Sequence, residues 1–449
     1  MVTTVSKLSV LIVSLGCNKN LVDSEVMAGI LAEKGYRLVS TPKEADIAII
    51  NTCGFIESAK QESVDTILDV IDCSQSGRKP SVIVVAGCLS QRYADELLHE
   101  LPQINAVVGT GEFARIDEIL DRVLSGERVK AVGQPRYLYD HSTPRLLSTP
   151  SHYAYLKIAD GCNNRCSYCA IPSIRGEMRS RKIESVVLEA KQLAAAGCKE
   201  LIVVAQDTTA YGLDLYGRPA LAELLRSVST VEGIEWIRVL YTYPSRITDD
   251  LLQVIADEPK VVRYLDIPIQ HVSKRILSMM NRPGDRASLS KTLDRIRAAI
   301  PGVTLRTSLI VGFPGETEQE FSELLEFVAE QEIDRVGVFV YSQEEGTPAA
   351  AMPDQIPEEL KQERYARIME LQQRISRKKM MHRVGKVERV IIDGVSDESP
   401  LITVARSEGE APEVDGAIYI GNAHPPAGSF VNVTITDASD YDLVGEVVE

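Results

Sequence analysis

Apolar and polar positions fall into three regimes along the chain. From residue 9 to about 125, short apolar runs alternate with amphipathic stretches. SVLIVSL, DIAIINT and SVIVVAG are apolar enough to be strands buried on both faces of a parallel sheet, and the segments beginning at Asn20, Glu57 and Tyr93 carry helical spacing between them. This pattern predicts a compact Rossmann-like α/β domain over residues 1–130.

Residues 131–151 hold Pro135, Pro144 and Pro150 among polar neighbours and read as a linker or ordered crossover. The alternation then resumes through six candidate strands: AYLKIA, LIVVAQ, EWIRVLYT, VRYLDIPI, TLRTSLIV and RVGVFVY. The first helix between them, Ile183–Ala196, places Val186, Val187, Ala190, Leu193 and Ala194 on one side and stops at Gly197. Strand then helix, six times over, predicts parallel strands joined by right-handed crossovers, a partial (β/α)6 barrel. With the long charged helix EELKQERYARIMELQQRISRKKMM behind it, this domain spans 152–381. The cations that end that helix suit its C-terminal dipole as well as they would suit RNA. From His382 to the end the period shortens to VERVIID, LITVA, AIYIG and FVNVTIT, punctuated by Gly and Pro, and a small antiparallel β-barrel is expected over 382–449.

Composition narrows the class. The 449 residues exceed one hydrophobic core, so about three domains is the prior. With 44% apolar and 25% charged residues, the chain is neither largely disordered nor collagen-like. No apolar run reaches membrane-spanning length, and the N-terminal run fits a buried strand better than a signal sequence, so a cytoplasmic location is expected. Thiols stay reduced there, and cysteines more often bind metals or react than form disulfides. A net charge of −15 disfavours general adhesion to a phosphate backbone and favours a basic partner.

Six of the eight cysteines form two sets. Cys162, Cys166 and Cys169 lie in DGCNNRCSYCAIP directly after the first barrel strand, where such barrels present their working loops. No fourth Cys or His follows at a structural zinc spacing, although a zinc ribbon is the alternative for three close cysteines. A cubane cluster held by three thiolates keeps one iron open, unlike the saturated four-cysteine ferredoxin run. Cys17, Cys53 and Cys88 each stand at the end of a predicted buried strand, beside a glycine. The carboxyl ends of neighbouring parallel strands open on one crevice, so these three thiols are expected to meet and hold a second cluster; the alternative is three core cysteines. Cys73, in a polar turn, and Cys198, after the helix-ending Gly197, are read as structural.

The Cys-x3-Cys-x2-Cys loop after a barrel strand resembles the radical S-adenosylmethionine (SAM) superfamily. Two cysteine triplets and a final small barrel together resemble the methylthiotransferases, on SLGCNKNLVDSE, NTCGFIESAKQES, GCNNRCSYCAIPSIRG, TSLIVGFPGETE and YSQEEGTPA. The likeness covers essentially the whole chain, and the last domain is similar to the TRAM domain. AIPSIRGEMRSR, VVAQDTTAYG, DIPIQHVS and the ending TITDASDYDLVGEVV resemble the RimO type, which acts on an aspartate of small-subunit ribosomal protein S-twelve. The competing MiaB type modifies an adenosine of transfer RNA. Residues 382–449 carry four Lys and Arg against thirteen Asp and Glu, a net of −9, which suits a basic protein better than RNA and leaves RNA contact secondary. Asn18 stands where that family leads one to expect proline.

The resemblance implies two 4Fe-4S clusters, on Cys162, Cys166 and Cys169 and on Cys17, Cys53 and Cys88, with SAM on the open iron of the first. It also implies a reductant such as flavodoxin or ferredoxin and a source of sulfur. Tyr168 in the cysteine loop and Gln206, Gln270 and Tyr341 at barrel-strand ends are candidate SAM contacts, with the glycines from Gly312 as a further approach. His271 is expected to be a hydrogen-bonded neighbour rather than a ligand. From another class, a non-catalytic metal-stabilised module that binds ribosomes would share the cysteines but not cleave SAM.

Overall fold

The computed structural model describes residues 8–76 and 79–448. The chain divides into two compact units. The first comprises the residues up to Ser148 together with Ala159–Arg181 and Ser342–Ala350, and the second comprises Thr149–Ile158, Lys182–Tyr341 and Ala351–Glu449.

The first unit is built on a six-stranded sheet of β1 (Ser9–Ser14), β2 (Arg37–Leu38), β3 (Ile47–Thr52), β4 (Val82–Gly87), β5 (Ala106–Val108) and β6 (Val129–Ala131). All pairings are parallel, in the order β2-β1-β3-β4-β5-β6. The three long strands are the three apolar runs, fully buried at β3 and nearly so at β4, as strands covered on both faces must be. Ile50 and Val85 meet Ile67, Ile71 and Leu97 of the flanking helices in its core. The short strands β2, β5 and β6 were not legible as strands, because two or three residues carry no period.

Helices α1 (Asn18–Glu33) and α2 (Glu57–Gln75) fall where helical spacing placed them. The third expected helix begins five residues earlier than Tyr93: α3 (Cys88–Arg92) breaks at Tyr93 and α4 (Ala94–Glu100) follows. Cys73 lies in the last turn of α2 rather than in a polar turn, because its surrounding Ser and Gln continue the helix. After α5 (Ile116–Leu124), the proline-rich stretch has no helix, yet it is held: buried Glu25 accepts from Arg145 at 2.6 Å and from the backbone of Ser148 at 2.8 Å. Gly29 permits this approach, since a Cβ there would stand 2.5 Å from Pro144.

In the second unit, β7 (Tyr153–Lys157) opens the six-stranded parallel sheet. The cysteine loop that follows belongs to the first unit and is closed at its neck by β8 (Ala159–Asp160) against β9 (Arg179–Ser180), with α6 (Ile171–Arg175) inside it. Then come α7 (Ile183–Ala195), β10 (Glu200–Val204), β11 (Trp236–Val239), β12 (Val261–Asp266), β13 (Thr304–Val311) and β14 (Arg335–Val340). The order β14-β13-β12-β11-β10-β7 follows the chain, giving the expected open (β/α)6 barrel.

The last domain closes as a barrel of β15 (Val387–Val395), β16 (Thr403–Ser407), β17 (Ile418–Ile420), β18 (Phe430–Ala438) and β19 (Leu443–Val448). It is antiparallel except at β17–β19, a parallel pair. Loop residues 408–415 and their neighbours stop the amino end of the (β/α)6 barrel. Glu413 accepts from the hydroxyls of Tyr153 and Tyr155, both at 2.9 Å, and Asp415 from Tyr264 at 2.7 Å. Glu410 takes Arg335 at 2.8 Å, and buried Glu200 takes both Arg238 and Arg406 at 2.8 Å. With its base filled, the barrel's carboxyl end is the one left for chemistry.

Candidate active site: two cysteine triplets

The strand order decides how the first triplet assembles. In the order 2-1-3-4-5 the chain reverses direction across the sheet between β1 and β3, and ligands of such sheets bind in the crevice at that switch point. Cys17 caps the start of α1 three residues after β1, Cys53 follows β3 directly, and Cys88 opens α3 directly after β4. The three neighbouring strands therefore deliver their thiols to one crevice.

Glycines make the approach close. Gly16, at φ +84°, faces Cys53 so tightly that a Cβ would lie 2.9 Å from Sγ. A Cβ on Gly54 would lie 2.8 Å from the backbone of Leu89, next to Cys88, and one on Gly87, at φ +95°, would lie 2.5 Å from the carbonyl oxygen of Thr52. Each cysteine loop thus touches the next through a residue that can be only glycine.

Hydrogen bonds fix the loops. Asn20 donates to the carbonyls of Leu15 (2.8 Å) and Asn51 (3.2 Å), joining the Cys17 and Cys53 loops. Ser63 accepts from the Cys53 N–H and donates to its carbonyl, both at 3.0 Å. Arg92 donates to the carbonyl of Gly54 and to Glu344, both at 2.7 Å, so the segment Ser342–Ala350 ties down the residue after Cys53.

The thiols feel one another and a common cation. Burial pushes Cys53 up to about 12, with the charges of Cys88 and Cys17 adding to it. Burial also raises Cys88, against the pull of Arg175. For Cys17, desolvation is outweighed by the charges of Lys19 and Arg175, and its thiol lies below the ordinary value.

The second triplet sits in the loop between β8 and α6. Cys162 and Cys166 are buried and Cys169 is half-buried. The Cys162 N–H donates to the Gly176 carbonyl and the Cys169 N–H to the Cys166 carbonyl, both at 3.1 Å, so the loop is a closed, wound turn. The carbonyl of Ser167 accepts from Ala349 at 2.9 Å, which brings Ser342–Ala350 onto this loop as well. Cys88 packs directly with Ala170 and Ile174 of the cysteine loop and α6. Tyr168 is half-buried within it.

Sequence reasoning passed over the residue that ties the triplets together. Arg175, the last residue of α6, is 2% exposed and donates to Asp23, to Asp160 (3.2 Å), to Asn20 (3.1 Å) and to the sulfur of Cys88 (3.6 Å). The available signal was an arginine closing the short apolar helix AIPSIR six residues after Cys169.

In the second unit, Gln270 and Tyr341 flank the end of β13. Gln270, at φ +68°, donates its N–H to Ser308 and accepts from Ile310, and Tyr341 donates its N–H to Val311. Gln206 lies just past the end of β10, three strands along the sheet from β13. Lys361 and Arg364 of the long helix Glu358–Met381 hold this end of the barrel: Lys361 donates to the Tyr341 carbonyl at 3.0 Å and Arg364 to that of Glu316 at 3.1 Å. Glu316 closes the GFPGE turn by accepting from the backbone of Gly312 and Phe313, and burial pushes its carboxyl up to about 7. His271 is fully buried, accepts from the Ser273 N–H at 3.0 Å and is held neutral, burial driving it down to about 3. Cys198 donates to the Glu200 carbonyl at 3.1 Å and is structural.

Three family models match the chain: Uncharacterized protein family UPF0004 over residues 9–109, the Radical SAM superfamily over 156–328 and the TRAM domain over 384–448. Two solved structures share the fold: the radical SAM methyltransferase TsrM from Kitasatospora setae (TM-score 0.55, 16% identity, 76% of this chain and 77% of that one) and the radical enzyme OxsB (TM-score 0.51, 14% identity, 81% and 56%). Fold and cysteine loop define a radical SAM enzyme. Full-length relatives narrow the class: the protein of Geobacter sulfurreducens is 51% identical over 99% of both chains, and that of Trichlorobacter lovleyi is 49% identical over 100% of both. Both carry the name ribosomal protein uS12 methylthiotransferase RimO, and this chain belongs to that family of radical SAM transferases.

Membership implies 4Fe-4S chemistry and SAM. Among the described residues no three His, Cys, Asp or Glu side chains converge tightly enough for a single ion. The donor chemistry fits iron-sulfur groups: two all-thiol sets of three, one on three strand-end loops held by Asn20, Ser63 and Arg92 and the other on a single turn closed by its own backbone. Among the described residues no helix is long and apolar enough to cross a membrane.

Proposed function

We propose that this enzyme replaces a hydrogen on the β-carbon of an aspartate in small-subunit ribosomal protein uS12 with a methylthio group. Full-length identity near 50% to relatives named for that activity carries the reading, and the glycine-enforced meeting of Cys17, Cys53 and Cys88 supports a second cluster beside the radical SAM one.

When bound, a cluster on Cys162, Cys166 and Cys169 supplies the electron that cleaves SAM, and one on Cys17, Cys53 and Cys88 supplies the site from which sulfur is transferred. The chain's own task is placement and exclusion of water. Gly16, Gly54 and Gly87 set the spacing of one triplet, and the Gly176 carbonyl closes the loop of the other. Gln270 and Tyr341 present a polar amide and a phenol at the end of β13 as candidate SAM contacts, with Gln206 and Tyr168 as further ones. Lys361 and Arg364 keep the backbones there in place. The acidic last domain, with Asp397, Glu398, Asp437 and Glu446 exposed, suits a basic ribosomal protein as partner and opposes RNA. A low-potential reductant of the flavodoxin or ferredoxin kind and a sulfur source complete the requirements, and the reaction belongs in the cytoplasm, where ribosomes and such reductants are.

Protein reconstituted anaerobically with iron and sulfide is expected to hold about eight irons per chain, as two four-iron clusters. With SAM and dithionite it should raise the mass of uS12 by one methylthio group in place of hydrogen. Cys162→Ala should abolish both that change and 5′-deoxyadenosine formation. An unaltered uS12 beside a modified transfer RNA in the same assay would move the substrate to RNA. SAM left intact would remove the enzymatic reading altogether.

A further inference from the structure

One guanidinium stands between the two cysteine triplets. Arg175 Nη2 lies 3.6 Å from the sulfur of Cys88 and 3.1 Å from Asn20 Oδ1, and Nη1 reaches Asp23 and, at 3.2 Å, Asp160. Each partner belongs to a cysteine loop. Asn20 and Asp23 are in the first turns of α1, which Cys17 caps; Cys88 is itself one of the six; and Asp160 stands two residues before Cys162. Arg175 ends the helix that begins two residues after Cys169. The site is built for a fixed charge, because guanidinium and both carboxylates are at least 95% buried and no freedom remains to reorient them.

A buried cation has consequences for an iron-sulfur group beside it. Hydrogen bonds to cluster sulfurs and nearby positive charge favour the reduced, more negative state and raise the reduction potential. The donor reaches the first set directly, at the sulfur of Cys88. Toward the other set it acts through Asp160, at the neck of the loop that β8 and β9 close.

We propose that Arg175 is a positioning residue shared by both cofactor sites: it raises the reduction potential of the cluster on Cys17, Cys53 and Cys88 through Cys88, and holds the Cys162 loop against that cluster through Asp160. This rests on the two-cluster reading. The direct donor stands on the set that holds sulfur and favours its reduced state, so that set takes up an electron at a higher potential than it would without Arg175.

The test uses two full-length backgrounds, one with Cys162, Cys166 and Cys169 changed to Ala and the other with Cys17, Cys53 and Cys88 changed to Ala. Each is reconstituted with iron and sulfide, with and without Arg175→Gln and Arg175→Lys, and titrated with dithionite while the electron paramagnetic resonance signal is followed. In the first background Arg175→Gln is expected to shift the midpoint to lower potential and alter the g-values, and Arg175→Lys, which keeps the charge, to shift it less. In the second background, which Arg175 reaches through Asp160, each change should move the midpoint less than in the first. If Arg175→Gln empties the first background of iron, retention of four irons in Arg175→Lys is the expected result, and loss in both variants overturns the potential-setting role. Equal midpoints in parent and Arg175→Gln, or equal shifts in both backgrounds, also overturn it. If the first background binds no iron even with Arg175 in place, it is the two-cluster reading that fails, before Arg175 is touched.

Discussion

At the scale of single residues, three glycines matter as much as three cysteines. A thiolate ligand can be recognised by its type, but it is useful only if its loop can reach the others, and here each loop comes to van der Waals distance of the next through Gly16, Gly54 or Gly87. Gly16→Ala combines a positive φ with a methyl group 2.9 Å from Cys53 Sγ, so something must shift. The expected outcome is specific: iron content falls from about eight to about four per chain, methylthiolation of uS12 is lost, and reductive cleavage of SAM survives. Iron analysis and 5′-deoxyadenosine measurement check it, and a variant that keeps full iron would show that the loops tolerate a wider spacing.

Elements set the next scale, and the loop 408–415 between β16 and β17 is the instructive one. It carries acidic side chains into the base of the (β/α)6 barrel, where Glu410 lies between Arg335 and Arg383. Burial by itself would raise the Glu410 carboxyl, but the two guanidiniums overcome it and hold it down to about 2. A carboxyl whose folded value is depressed stabilises the fold above its unfolded value of 4.5, and that contribution is lost as pH falls through the range from 4.5 to 2. Glu410→Gln leaves buried Arg335 without its carboxylate and Arg383 with Glu388 alone, and should cost about 3–5 kcal/mol at pH 7. Thermal melting from pH 7 down to pH 3 would test both statements, because the gap between parent and variant should narrow with acidity.

For the second unit as a whole, the same loop means that the last domain is part of the barrel's structure rather than a detachable module. Tyr153, Tyr155, Tyr264, Arg238 and Arg335 all direct polar groups to residues 408–415. A chain ended after His382 would leave these groups facing solvent or each other, at about 1–3 kcal/mol for each buried group without its partner. Such a truncation is expected to aggregate or to melt well below the full chain; a soluble product with the parent's melting temperature would mean that the interface contributes little. Loss of uS12 binding in a truncated chain is therefore not evidence that the last domain is the docking surface, and charge reversal at exposed Asp437 and Glu446 is the cleaner probe.

Much of the architecture and of the site was readable without coordinates, because the signals are local. Apolar runs of six residues mark β1, β3 and β4, six further runs mark the barrel strands, and a Cys-x3-Cys-x2-Cys loop has its chemistry written in its spacing. Helix boundaries at α3 and the short strands β2, β5 and β6 were lost for the same reason, being too brief to show a period. The sequence by itself determined which residues are thiols and that they stand at strand ends. Only the tertiary structure decided that β1, β3 and β4 are neighbours, that Arg175 lies between the cysteine loops, and that Ser342–Ala350 returns to touch the Cys53 and Cys162 loops. The physical reason is range: periodicity and ligand spacing act over a few residues. Strand pairing joins Val10 to Ile47, 37 positions on, and the buried Arg175–Asp23 pair joins groups 152 positions apart; only the folded chain's packing makes them meet.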